Sequence, residues 1–338
     1  MAEKVKEKRE SFTPLTIALL VFLIVYCVSL FFLLGWGIFT SFKLNDNFYY
    51  EETVLPIFNF TSIVDKWRAS GARDDLKNIG VYNQALQEMG SEGLLPFHTY
   101  KNIFTQFVKD TAPYAGIPGR EVGMPEMYLY SFLYAGGCAL TATFIPCITA
   151  YACARFNYKF SRFIHTLVII VMMIPVVGSL PSEIRVAQAT GVMNRIWGLW
   201  IMRANFLGMY FLVFYDICKA LPTSFSEAAK IDGANNFQIF FQIAMPLIRN
   251  TFFTVLLIKF ISFWNDYQAA MIFMPSYPTV AIGLNEIMNT NAFAIRYQHH
   301  WIPARMAAVV MTATPVCILF AIFQKRLLGN LTVGGVKG

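Results

Sequence analysis

Six apolar runs, each close to the length of a bilayer crossing, decide what this chain can fold into. They are Leu15–Thr40, Met127–Ala154, Phe163–Leu180, Trp197–Ile217, Thr251–Met274 and Met306–Phe323. A helix needs roughly 20 apolar residues to cross the hydrocarbon core. The third and sixth runs are short for that, and the fourth and fifth contain charges, so their ends are the least defined. Only 14% of the 338 residues are charged and the mean hydropathy is +0.50, whereas a soluble domain carries about a quarter charged residues. The expectation is an all-α, polytopic membrane protein with six spans. Leu15–Thr40 exceeds the apolar length of a signal peptide and lacks a small-residue cleavage site, so it reads as a retained first span.

The charge pattern orients the spans. Lys4, Lys6, Lys8 and Arg9 precede the first run, Arg155, Lys159 and Arg162 fill the second connection, and Lys325 and Arg326 follow the last. With six spans these places share one side, the cytoplasmic one. Both termini are then cytoplasmic. Leu44–Glu126 lies outside, with eleven acids against seven bases. The division read from the sequence is a tail at 1–13, a first span at 14–43, an extracytoplasmic segment at 44–126, a five-helix core at 127–326 and a tail at 327–338. Within the outer segment, Val81–Gly90 reads as one or two helical turns and Leu95–Val108 as a surface helix. The +7 net charge follows this topology and does not point to nucleic acid.

No chemistry-bearing constellation emerges. The six cysteines sit in or beside apolar runs without CxxC spacing, which suits small core residues. His98, His165, His299 and His300 have no metal-ligand partners at helical spacing. There is no GxxxxGK[ST], HExxH or Ser-His-Asp pattern. No catalytic or metal-binding residues are expected, and any ATP and Mg would be bound by another polypeptide. Pro146, Pro175 and Pro315 interrupt spans, as membrane helices around a cavity tolerate. Lys259 lies well inside the fifth run, where a lysine costs about 2.5–3.5 kcal/mol at the bilayer centre. Asp266 follows seven residues on, and a shared helical face would suit either an interhelical ion pair or a polar path wall.

The most informative stretch is SEAAKIDGANNFQIFFQIAMP, Ser226–Pro246, a polar island between two apolar runs. Ser224 and Glu227 have capping-box spacing, so a short helix is predicted from about Phe225. Gly233 stands where a left-handed C-terminal residue is wanted. Asn235 and Gln238 repeat the box, predicting a second helix up to Pro246. The result is an elbow at 222–247, too short to be stable alone.

At these residues the chain resembles the permease subunits of ATP-binding-cassette importers. Their signature is Glu-Ala-Ala, three residues, Gly, nine residues, Ile, one residue, Leu-Pro. Here it reads Glu227-Ala228-Ala229, Gly233, Ile243 and Met245-Pro246, with Met245 replacing Leu at similar volume. Asp232 and Ala234 complete the DGA of the sugar-importer branch, and Phe263–Tyr267 (FWNDY) and Leu331–Gly338 (LTVGGVKG) resemble the smaller permease subunit of maltose-type systems. The resemblance covers about Tyr128–Gly338. It departs at Leu44–Glu126, longer than usual, and at Lys259, where a small or apolar residue is expected.

The resemblance implies a six-helix permease bundle in the bacterial inner membrane with a cytoplasmic coupling helix. Its partners would be a second permease subunit, an ATPase dimer, an extracytoplasmic substrate-binding protein and membrane lipid. The cargo would be a carbohydrate, an oligosaccharide in the first instance. Glu227, Ala228, Ala229, Asp232, Gly233, Ile243 and Pro246 would couple to the ATPase, and Lys259, Trp264, Asn265 and Asp266 would border the path. The competing classes are a secondary transporter or channel, for which no internal repeat is visible, and a permease-like sensor without net transport.

Overall fold

A computed structural model of the chain describes residues 14–42, 98–114, 118–156, 158–174, 178–289 and 301–329. The turns expected at Val81–Gly90, together with Pro175, His299, His300 and Leu331–Gly338, lie outside the described residues. The described residues divide into two compact units, one up to Lys101 with Ala292–Val310, the other Asn102–Asn291 with the chain from Met311.

In the first unit α1 (Pro14–Ser41) is a 28-residue helix, about 42 Å long. Nearly every apolar side chain along it is exposed, from Leu15 at 70% to Leu34 at 65%. A stripe of that size is stable against lipid or protein, not water. At its end the Ser41 hydroxyl meets the Tyr100 hydroxyl, and Phe42 packs on the Tyr100 ring at 5.2 Å.

The second unit is organised around α3. The elements that lead into it are α2 (His98–Gln106), β1 (Val108–Asp110) and β2 (Glu121–Gly123). The strands pair antiparallel, Lys109 opposite Val122, and Thr111 N–H continues the ladder to Arg120 O. This three-residue pair leaves the all-α architecture standing and shortens only the expected surface helix, which stops at Gln106, with Val108 in a strand. Next come α3 (Met124–Arg155), α4 (Lys159–Met173), α5 (Leu180–Ala189), α6 (Ile196–Met202) and α7 (Met209–Ala220). The elbow follows as α8 (Thr223–Ile231), α9 (Asn236–Gln238) and a π-helical turn (Ile239–Ala244). The chain closes with α10 (Met245–Trp264), α11 (Tyr267–Phe273), α12 (Val280–Asn289) and α13 (Trp301–Gly329).

Two apolar clusters hold α3 in place. In one, Cys147 and Tyr151 of α3 pack with Phe211, Phe214 and Cys218 of α7 and Ile248 and Phe252 of α10. In the other, Tyr134 and Cys138 pack with Leu199, Phe273 and Ile282. Gly137 lets the α6 tryptophan lie on α3, because a Cβ there would stand 2.1 Å from the Trp200 ring. Four cysteines are buried in this core, but Cys27 and Cys317 are exposed on helix faces.

Among the described residues four stretches are helical, long and apolar enough to cross a membrane: Pro14–Ser41, Met124–Arg155, Asn236–Trp264 and Ile302–Gln324. Three expected spans differ from their apolar runs. The third is helical only over Lys159–Met173, about 22 Å. Ile174 turns extended (φ −80°, ψ 118°), the conformation a following proline imposes. The fourth breaks between Met202 and Met209, where Asn205 Oδ1 accepts the Leu207 N–H at 2.8 Å and substitutes a local turn for helix. The fifth stops at Trp264, and Asp266 caps a new helix by accepting the Ala269 N–H at 3.0 Å. Pro146 and Pro315 sit inside unbroken helices.

Candidate functional site

The elbow is built by three local devices. Its first helix opens at Thr223, with Pro222 (φ −57°, ψ 132°) before it and no side-chain cap. The expected Ser224–Glu227 box does not form. Proline presets the entry angle one residue ahead of Thr223, so Ser224 is already inside the first turn. The Glu227 carboxylate is therefore left exposed, with no hydrogen bond or ion pair to any described residue.

The helix ends as the sequence predicts. Gly233 has φ +83°, its N–H donates to Lys230 O at 3.1 Å, and Ala234 N–H reaches back to Ala229 O at 2.9 Å. These are the two bonds of a Schellman ending. Nothing lies within 4 Å of a Cβ built on Gly233, so backbone conformation and not space demands glycine. The second box is complete: Gln238 N–H donates to Asn235 Oδ1 and Asn235 N–H to Gln238 Oε1, each at 2.8 Å.

Pro246 does not end the second arm. Met245 N–H bonds five residues back to Phe240 O in a π turn, and Pro246 stands in the first turn of the α-helical stretch that follows, where its missing N–H is tolerated. The helix continues from Asn236 to Trp264, a 29-residue rod about 43 Å long. Ala229, Ile239, Phe240 and Ala244 are buried under the elbow, while Ile231 at 87% and Phe237 at 76% point outward. Glu227, Ala228, Asp232, Gly233 and Pro246 are exposed, and Ile243 is half-buried. On the inner side the Tyr151 ring packs tilted against Phe240 at 4.9 Å, and Arg155 Nη2 donates to Leu221 O at 3.1 Å. Arg155 is a residue that motif reading missed. Its place in the basic second connection was the signal available.

The second group of candidates is divided. Trp264 is buried, donates from Nε1 to Thr312 O at 3.0 Å, and packs edge-on to Phe132 at 4.9 Å, so it belongs to the core. Asn265 is exposed and donates to Ile261 O. Asp266 lies beyond the end of α10, which removes the basis for a shared helical face with Lys259. Its carboxylate accepts the Tyr134 hydroxyl at 3.2 Å. Lys259 is half-buried, its Nζ 4.6 Å from the centre of the Tyr210 ring. No carboxylate among the described residues is within ion-pair distance of it. Arg203 buries its Nε without a partner among the described residues.

Long apolar helices, one of them running unbroken into an exposed helix–turn–helix, define a polytopic membrane protein. The chain belongs to the family of binding-protein-dependent transport system inner membrane components, whose sequence profile matches residues 142–331. It is a transmembrane permease subunit of the inner membrane, and membership implies partnership with an ATPase and a substrate-binding protein.

Among its relatives is the sulfoquinovosyl glycerol transport system permease protein SmoH of Agrobacterium fabrum, 30% identical over 218 residues, 63% of this chain and 74% of that protein. The maltodextrin transport system permease protein MalD of Streptococcus pneumoniae is 27% identical over 259 residues, 72% of this chain and 81% of that one. The fold is similar to a chain in the crystal structure of a bacterial ABC transporter that imports the acidic polysaccharide alginate. The TM-score is 0.52 at 20% identity, covering 75% of this chain and 98% of that one.

Proposed function

We infer that this chain is one of two permease subunits of an ATP-driven importer whose cargo is a carbohydrate, most simply an oligosaccharide. The elbow carries this reading: an exposed helix with a free carboxylate, ended by a fixed turn and joined without a break to a membrane-length rod. A push on such a handle is transmitted into the bundle as a rigid-body movement and is not absorbed by a loop. The carbohydrate cargo is supported by relatives named for maltodextrin, melibiose/raffinose/stachyose and galactooligosaccharide transport.

In this account the bundle has six spans, with α4 and the broken α6–α7 pair as the two that fall short of full-length helices, and both termini are cytoplasmic. Two ATPase subunits, which hold ATP and Mg, sit against α8. Their closure moves Glu227, Ala228, Ala229, Asp232 and Gly233 together, with Ile243 and Pro246 passing the movement into α10. A substrate-binding protein docks outside, where 44–126 adds surface. Lys259, Asn265 and Asp266 border the path, and Trp264 fixes the wall behind them.

The test is uptake into vesicles holding the complete complex and its binding protein. Uptake should require ATP inside the compartment that faces the elbow and survive a proton ionophore. Uptake that follows the proton gradient without ATP would assign the chain to secondary transport.

A further inference from the structure

Two cations share one region of the second unit without being neutralised. Lys259 on α10 rests its ammonium on the Tyr210 ring, and the Arg203 guanidinium at the end of α6 is close enough to act on it electrostatically. Arg203 also acts on Tyr134 and Cys138, which places it beside the same stretch of α3. Neither cation has a carboxylate within ion-pair distance among the described residues, and the Arg203 Nε is buried with nothing to donate to.

The nearby acid is Asp266, and its oxygens are already engaged by the Tyr134 hydroxyl and the Ala269 N–H. Two positive charges against one committed negative charge leave an excess of one. Away from water such an excess is costly, and charges at membrane depth are retained where they serve a partner or a path. An aromatic face steadies an ammonium but does not cancel it. The region therefore has an unfilled demand for an anion. It also offers an aromatic face, Tyr210, under a lysine that is only half-buried.

We propose that the Lys259–Arg203 region receives the acidic group of an anionic carbohydrate, so that the cargo is a uronate-type or similarly charged oligosaccharide. This rests on the carbohydrate-importer reading above. Lys259 supplies the contact that a moving substrate can make and break, since its ammonium is mobile on a flexible stem. Arg203 supplies a fixed positive field. Tyr210 holds the ammonium between cargoes.

The experiment uses the complete complex with its binding protein in vesicles. Uptake is measured for disaccharides in matched pairs that differ only at C6, carboxylate against hydroxymethyl, in the galacto, gluco and manno series. The expected result is uptake of the acidic member of at least one pair. Lys259→Gln should lower that uptake by at least about thirtyfold, the low end for removing one side of a desolvated charge pair. Affinity of the isolated binding protein for the same sugar should not change, and Lys259→Arg should retain most of the uptake.

Uptake confined to neutral members would overturn the inference and leave the importer reading standing. Equal losses for acidic and neutral sugars in Lys259→Gln would overturn it too, and would assign Lys259 to a carboxylate of the second permease subunit. Uptake of no member of any pair, with ATPase activity intact, would remove the carbohydrate reading and the inference with it.

Discussion

Arg155, the last residue of α3, donates from Nη2 to the carbonyl of Leu221, the residue before Pro222 opens the elbow. This bond ties the end of the central helix to the root of the handle. Arg155→Met should leave the permease in the membrane, because a hydrogen bond from a charged donor contributes about 1.5–3 kcal/mol. The elbow should be held less firmly, and the sugar imported per ATP hydrolysed should fall. An unchanged ratio in vesicles would reduce the bond to a local tie.

Asn194 is the non-glycine residue with positive φ among those described, at 58°. It is buried, donates to Ser276 Oγ at 2.9 Å, and accepts the Ser276 N–H at 3.0 Å. Asn194→Ala leaves that N–H buried and unpaired, at a cost of about 1–3 kcal/mol. The purified complex should melt earlier, with substrate preference unaltered. Asn194→Gly, which relieves the backbone but not the lost bonds, should recover only part of the loss.

Gly137 admits the Trp200 ring, whose Nε1 donates to Leu133 O at 3.0 Å. Gly137→Ala should push α6 away from α3 and cost about 1–3 kcal/mol, as overpacking does. A fluorescence shift of Trp200 in an otherwise tryptophan-reduced chain reads this directly. Unchanged emission and stability would mean that α6 gives way freely.

Much of the elbow was legible because its determinants are local. The Asn235–Gln238 box and the Gly233 turn each depend on residues three to five apart, and both form as the spacing predicts. The Ser224–Glu227 pair has the same spacing and fails, because Pro222 sets the helix start upstream of it. Span ends were read less well. Hydropathy continues through Asn205 and Asp266, yet each offers a side-chain acceptor that breaks the helix within an apolar run. The partnership of Lys259 with Tyr210 joins helices 49 positions apart in sequence (259 − 210), which no periodicity records. The paired strands are three residues each, too short to alternate visibly.

The Gly233 turn separates conformation from volume. Because no atom crowds its missing Cβ, Gly233→Asn should be tolerated, as asparagine accepts the left-handed region. Gly233→Val should cost about 1–2 kcal/mol or re-aim α9. Transport should therefore rank glycine, then asparagine, then valine, while membrane levels stay level. A ranking by side-chain size in protein amount, and not in transport, would mean that the turn serves folding.

The central claim is that α8 is a handle for an ATP-driven partner, and coupled transport by Glu227→Ala and Gly233→Val tests it most directly. Each variant is purified with its partners, scored for retained ATPase, and assayed for hydrolysis and uptake together in vesicles. The account predicts normal insertion with the ATPase released, or retained while hydrolysis proceeds without uptake. Normal uptake per ATP in both variants would contradict it.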